Sequence, residues 1–220
     1  MNILAIETST DFGSLAYYKG DELLWSQQIQ SGRNHNTEVL EALEVRIGEA
    51  ECQPELILVG AGPGNYTGVR VAISIAQGFQ MVFGAKVVLV PSFLSVCPEV
   101  PSPVIFGNAR RGEFYVTQVS EALSLAPIEI LDKESALSWL ASHRDQNLVV
   151  YEQSEVLDAV LKEADVHAVM HQCSAEGLAE AWLVMPLDQR ERYEQAAQEP
   201  IYLRPPNMQK SGKVHPLLSL

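Results

Sequence analysis

Residues 60–70 read Gly-Ala-Gly-Pro-Gly-Asn-Tyr-Thr-Gly-Val-Arg, between the apolar run Leu56-Ile57-Leu58-Val59 and a long apolar segment, Val69 to Phe83. Apolar run, glycine turn and helix is the layout of a strand feeding a helix N-terminus in an α/β sheet. Glycine permits close backbone approach, and Pro63 fixes one φ and removes a donor. Thr67 is placed to cap the helix. The free N–H groups of that first turn can hold an anion. The bland alternative is a tight turn and nothing more.

The chain on either side fits the same class. Ile3 to Ile6, Leu15 to Tyr18 and Glu22 to Ile29 read as three strands joined by short turns, an antiparallel meander. A helix is expected from about Thr37 to Ala50, with Leu40, Leu43 and Ile47 on one face. The 56–59 strand, the glycine turn, a helix to Phe83 and a strand from Val87 to Val90 complete β-β-β-α-β-α-β, a mixed sheet. Pro91, Pro98, Pro101 and Pro103 then mark a boundary. The expected division is a first lobe, 1–100, and a second, 101–220. The second opens with Val104 to Gly107 and Glu113 to Val119 across the turn Asn108–Gly112. Helices are expected at 135–143, 154–164 and 175–185, and strands at 148–151 and 166–170. Each half opens strand-turn-strand, as a duplicated fold would. Glycine is unevenly shared: twelve of the fourteen lie at or before Gly112, and between there and Gly212 only Gly177 appears.

The 220 residues carry a formal net charge of -13, which opposes broad binding to nucleic acid or an anionic membrane. There is no run of ~18 apolar residues to span a bilayer. The opening Met1–Glu7 reads as a buried strand, not a targeting segment. Cys52, Cys97 and Cys173 have no short pairing, which suits a cytoplasmic chain with reduced thiols.

In the 69–83 segment the polar residues Arg70, Ser74, Gln77 and Gln80 form a narrow stripe, and the rest is apolar or glycine. Such a helix should be covered on two sides. Ala72, Ala76 and Gly78 permit another helix to approach. Leftover apolar surface marks a partner site; the alternative is complete burial within one subunit.

Four strings together carry a resemblance: Ile3-Leu4-Ala5-Ile6-Glu7-Thr8-Ser9-Thr10; Gly62-Pro63-Gly64-Asn65-Tyr66-Thr67-Gly68-Val69-Arg70; Ala109-Arg110-Arg111-Gly112-Glu113-Phe114-Tyr115-Val116; and Glu199-Pro200-Ile201-Tyr202-Leu203-Arg204. In this order they resemble the TsaB (YeaZ) family, accessory subunits of bacterial threonylcarbamoyladenosine synthesis. The resemblance implies an actin-like, ribonuclease H-like ATPase fold of two related lobes with mixed sheets, the second degenerate. It implies a non-catalytic scaffold in the machinery that puts a threonylcarbamoyl group on adenosine 37 of tRNAs reading codons that begin with A. The implied partners are the catalytic homologue TsaD, the ATPase TsaE in a larger assembly, and a second copy when TsaD is absent. Transfer RNA is met only through the complex. ATP and metal belong to partner subunits, and this chain has no cofactor of its own. The contact is expected on the first-lobe helices at Thr37, Leu40, Arg70, Ala72, Ile73, Ala76, Phe79 and Gln80.

Two rivals remain: an independent ATPase or small-molecule kinase of the same fold, and a dimeric interaction module with other partners. Actin-like ATPases clamp phosphates between one hairpin loop per half. Here the first, Thr8–Ser14, has hydroxyls and one glycine, so Glu7, Ser9 and Thr10 are candidates for a residual phosphate contact. The second, Asn108–Gly112, has bulky side chains where a backbone cradle needs small ones. The family's usual Asp is Glu at position 7, and the Asp preceding its Ala-Arg string is Asn108. Both changes weaken a metal-nucleotide role. An adenosine-holding turn would fall in the stretch whose one glycine is Gly177.

No metal site is expected. His167 and His171 on a strand would stand roughly 13 Å apart. The catalytic homologue's His-x-x-x-His pair is reduced here to His35, with Val39 four residues on. Ser92 reads as a helix N-cap, and no nucleophile or protease constellation can be assembled. Arg110, Arg111 and the basic tail after Glu199, with Arg204, Lys210 and Lys213, are candidates for tRNA or an acidic partner surface.

Overall fold

The structure is a computed structural model and describes residues 1–30, 35–49 and 53–203. In the first lobe the strands are β1 (Asn2–Glu7), β2 (Phe12–Lys19), β3 (Glu22–Gln30), β4 (Leu56–Gly60) and β5 (Lys86–Val90), with helices α1 (His35–Glu49) and α2 (Tyr66–Phe83) between β3 and β5. The sheet order is β3-β2-β1-β4-β5. β1, β2 and β3 pair antiparallel, and β1, β4 and β5 parallel. The mixed sheet follows from the connections: short turns permit hairpins, while helical crossovers return the chain parallel.

The second lobe repeats this plan. Its strands are β6 (Val104–Arg110), β7 (Glu113–Gln118), β8 (Glu129–Leu131), β9 (Leu148–Val150) and β10 (Val169–Met170), with α3 (Lys133–Ser142) and α4 (Glu155–Ala164) in the places of α1 and α2. Read from β8, the order is β8-β7-β6-β9-β10, with antiparallel pairs on one side of β6 and parallel pairs on the other. The fold is therefore the expected actin-like, ribonuclease H-like pair of lobes, and the second is abbreviated, with β8 three residues long and β10 two.

Strand periodicity decides the layers. On β1, Leu4 and Ile6 face the core beneath α1 and α2, with Leu15, Ile57 and Val59. Ile3 and Ala5 face the other way, into a core shared with the second sheet through Ile105, Tyr115, Val149 and Tyr151. That middle layer is filled by a 3₁₀ turn, Ser92–Val96, and by α5 (Ala175–Val184), whose Trp182 is fully buried. Phe106, Phe114 and Val150 turn outward, beneath α3 and α4. Residue 100 thus separates the two sheets in sequence, while the middle core belongs to both. α5 packs on β1, β2 and β4, and α6 (Leu187–Gln195) on β5.

Several local expectations are corrected. Asn65, not Thr67, caps α2; its side chain accepts from the N–H groups of Thr67 and Gly68. Ser92 opens the 3₁₀ turn without capping it, and its Oγ accepts the Gly62 N–H at 3.0 Å. The 166–170 strand shrinks to Val169–Met170, because Val166 is held by the Leu161 carbonyl at the end of α4. Gly177 lies in the first turn of α5, where a β-carbon would strike the Ser95 carbonyl. It is a packing glycine within a helix, not an adenosine turn. Among the described residues no helix is long and apolar enough to cross a membrane.

Candidate functional site

The glycine string does not open towards a ligand. Asn65 N donates to the Ser9 carbonyl at 2.6 Å, and Thr8 Oγ1 to the Gly68 carbonyl at 2.9 Å. A β-carbon on Gly64 would collide with the Ser9 carbonyl, and one on Gly68 with that of Thr8. These two glycines exist so that the β1–β2 loop can lie directly on the start of α2. The donors an anion would meet are already engaged: Thr67 and Gly68 by Asn65 Oδ1, and Val69 by the Asn65 carbonyl.

Glu7 points inward. It is fully buried; Oε1 accepts the Ser9 N–H at 2.6 Å, and Oε2 has no hydrogen-bond partner. A β-carbon on Gly60 would strike that oxygen. Burial pushes the carboxyl above its ordinary range, against the opposing pull of Ser9, Ser92 and Thr8. A buried carboxyl turned towards Gly60 is not an arm extended to a metal-nucleotide. Cys173 is buried close by, and burial likewise raises its thiol well above the usual range, which makes it inert. Cys97 is pushed up to about 12 for the same reason. Cys52 lies outside the described residues.

The lobes are joined where a nucleotide would need room. Tyr151, at the end of β9, donates to the Pro63 carbonyl at 2.6 Å and is hydrogen-bonded to Tyr115; both rings are buried. Ser14 Oγ accepts the Ala175 N–H at 2.8 Å, and Ser95 Oγ accepts that of Ser174. What stays open is a cavity of about 290 Å³ between Thr10, Asp11, Asn65, Arg110, Glu152 and Gln172. Its lining is acidic on balance, since Arg110 is already paired with Glu152 at 3.2 Å and Asp11 lies beside them. Burial raises the Glu152 carboxyl, and the Asn108 N–H and Arg110 pull it back. Thr10 Oγ1 is taken up by the Phe12 backbone. A second cavity, about 140 Å³, lies on the other side of Arg110 and is closed in part by Pro200, Ile201 and Tyr202. That segment is strapped to the first lobe: Ile201 N donates to the Ala61 carbonyl at 2.9 Å and Gln198 Nε2 to Val87.

Helix α2 is covered on one side and bare on the other. Val69, Ala72, Ile73, Ile75 and Ala76 are buried against the sheet. Arg70, Ser74, Gln77 and Gly78 face out, and the stripe ends on Met81 and Val82, 88% and 75% exposed. Beside it α1 exposes Leu40 and Val45. No metal-binding group of three or more His, Cys, Asp or Glu exists among the described residues; His171 instead meets Glu99 at 3.3 Å.

A family model described as "TsaD: tRNA N6-adenosine threonylcarbamoyltransferase" matches residues 28–121. The tRNA threonylcarbamoyladenosine biosynthesis protein TsaB of Haemophilus influenzae is 33% identical over 131 residues, 54% of each chain. That of Bacillus subtilis is 27% identical over 124 residues, 52% of this chain and 53% of the relative. The TsaB of Escherichia coli is 27% identical over 179 residues, 80% of this chain and 69% of its own. The chain is similar to proteins of the TsaB (YeaZ) family. It spans about half the length of the Haemophilus and Bacillus relatives it matches. The fold agrees: YeaZ from Pseudomonas aeruginosa superposes with a TM-score of 0.66 at 22% identity, covering 92% of this chain and 99% of that one.

Set against the residues that the TsaB resemblance picks out, the structure sorts them into three groups. Ala72, Ile73 and Ala76 are buried against their own sheet and are not surface. Leu40 and Arg70 are exposed, and Phe79 and Gln80 half-buried. The side chain of Thr37, and that of His35, lie outside the described residues, as does the basic tail from Arg204. Of the phosphate candidates, Glu7 is turned inward, Ser9 is buried, and Thr10 lines the larger cavity with its hydroxyl engaged. Sequence reasoning missed Tyr151, Glu152 and the 198–201 strap. Tyr115 lies within β7 and Tyr151 just past β9, both in the second lobe, and only the bond from Tyr151 to Pro63 across the lobes gives the pair meaning.

Proposed function

We propose that this chain is a non-catalytic scaffold subunit of the machinery that transfers a threonylcarbamoyl group to adenosine 37 of tRNAs reading A-starting codons. Its partner is TsaD, and it acts in the cytoplasm. The observation that carries the reading is the closure of the phosphate loop: the Ser9 carbonyl receives Asn65 N–H where a nucleotide would need free donors. An ATPase or kinase of this fold needs that loop open. The inward, orphaned Glu7 and the Tyr151–Pro63 bond across the lobes support the same conclusion.

TsaD docks on the bare face of α2 with the neighbouring face of α1. The central contact is Gly78, Met81 and Val82, with Ser74 and Leu40 beside them and Arg70 at the rim. Exposed apolar side chains around a small residue let another helix approach closely. A second copy of the chain takes this face when TsaD is absent, and TsaE joins the pair. The test is reconstitution of tRNA modification with TsaD and TsaE, with and without this chain. Modification that depends on the chain, with no ATP hydrolysis by the chain alone, is the expected result. ATP bound and hydrolysed by the isolated chain would favour the kinase or ATPase rival.

A further inference from the structure

The turn between β6 and β7 holds two arginines in a conformation that favours glycine. Arg110 and Arg111 have φ values of 67° and 56°, followed by Gly112 at 79°. The two-residue loop 111–112 has positive φ at both positions, which in hairpins selects Asn-Gly. Arg110 lies beside a register shift in the ladder, another place where glycine is the cheap choice. The left-handed region disfavours any residue with a bulky side chain. Arginine at both positions is thus a poor choice for folding, and backbone strain of this kind is a reason to look for function.

Beside the turn stands an exposed aromatic pair. Tyr66 and Tyr202 pack with ring centroids 5.6 Å apart. Arg70 lies over Tyr66, 5.2 Å from the ring centroid, and donates to its hydroxyl at 2.6 Å. Tyr66, Tyr202 and Arg110 line one cavity. Glu152 neutralises Arg110. Arg70 keeps most of its donors, and Arg111 is exposed, with no salt bridge among the described residues. Elsewhere Lys86, Lys133 and Arg144 are each matched to a carboxylate. Leu203, on the wall of the same cavity, leads into residues 204–220, which carry Arg204, Lys210 and Lys213 and no Asp or Glu.

We infer that the Arg110–Gly112 turn, with Arg70 and the Tyr66–Tyr202 pair beside it, is where this chain touches RNA, at a single-stranded segment with accessible bases. The inference rests on the proposed function and names the surface for it. Phosphates take the free guanidinium donors, and a base stacks on the exposed tyrosine faces, a pairing that tolerates any sequence. Tyrosine and arginine also make protein hot spots. Charge decides between the two: in a chain of net charge -13, exposed Arg70 and Arg111, in no salt bridge among the described residues and set one at the tyrosine pair and one in the turn, fit a polyanion. With so few phosphate contacts the chain alone binds RNA weakly, and the effect is read in the complex.

The test uses the full chain paired with TsaD and unmodified, fluorescently labelled tRNA, titrated at several salt concentrations. Complex formation is measured separately by gel filtration. Arg111→Gly should weaken tRNA binding several-fold at low salt and flatten the log K against log salt line by about 1. Tyr202→Ala should cost about tenfold with little change in that slope. Arg111→Gly should also raise the melting temperature by about 2–4 °C by releasing strain, so weaker tRNA binding cannot be blamed on misfolding. Unchanged tRNA binding by these variants, with the pair intact, overturns the inference. Loss of pairing with TsaD instead assigns the patch to the protein interface and also overturns it. A wild-type chain that fails to join TsaD at all refutes the reading beneath it.

Discussion

The two lobes share one plan and treat their outer helices differently. In the second lobe, α4 buries Leu157, Val160, Leu161 and Ala164 and turns Glu155, Asp158, Lys162 and Glu163 to solvent. That is an amphipathic helix at rest. Its counterpart α2 has one charged residue, Arg70, and its outer face ends on bare Met81 and Val82. The same topology therefore yields one outer helix whose open face is mostly charged, with Val156 its one exposed large apolar residue, and one that ends on bare apolar side chains. The inner surfaces differ too. The first lobe's phosphate loop is sealed by backbone contacts, and the second lobe's hairpin carries arginines where a cradle would have small residues.

The largest expected effect breaks that outer contrast. Met81→Asp should cost about 2–3 kcal/mol of TsaD pairing, roughly a hundredfold in Kd, with the melting temperature unchanged. Asp158→Arg on α4 should change neither. Equal losses from both, measured by titration calorimetry, would erase the distinction between the lobes. Ala76→Arg is not a clean probe, because Ala76 is fully buried and the variant would report misfolding.

The inner contrast is tested next. Gly64→Ala places a β-carbon on the Ser9 carbonyl, and backbone cannot step aside as a side chain can. A loss of about 2–3 kcal/mol in urea unfolding is expected. A neutral outcome would mean that the loop is free to open. Tyr151→Phe removes the bond to Pro63 and leaves its carbonyl buried, costing about 1–3 kcal/mol. If that variant instead gained ATP binding, the closed cleft would be a gate and not a seal.

The smallest effect depends on pH. Glu7 ionises above its ordinary 4.5 in the folded chain because burial disfavours the charge. Below about pH 4 both states hold the proton and the group contributes nothing. As pH rises past 4.5 the unfolded chain releases its proton first, so folding loses stability until the folded value is passed. Glu7→Gln should therefore be more stable than the parent at neutral pH, with the difference vanishing in acid. A Gln variant that is less stable at pH about 7 would show that the charge has a partner.

Much of the fold was legible. The meander, the helical crossovers and the second hairpin follow from period and turn chemistry in short windows. α6 escaped notice because its nine residues, Leu187–Gln195, bury none of themselves fully and carry no apolar stripe. β8 is too short for alternation to register. The site was less legible. The glycine string drew attention correctly but for the wrong reason, since spacing cannot say whether glycines admit a ligand or a neighbouring loop. Ala72 and Ala76 show the same limit: small residues on a helix permit close approach, and the approaching body is this chain's own sheet.

By itself the sequence determined the order of elements, the two-lobe plan and the family resemblance, because each is written in local pattern or in strings that survive comparison. Tertiary structure alone decided what the loops hold. Whether Ser9's carbonyl meets Asn65 or a phosphate, and which side of α2 is bare, depends on contacts between residues tens of positions apart. Those contacts are set when two sheets pack through one shared core, and no window along the chain contains them.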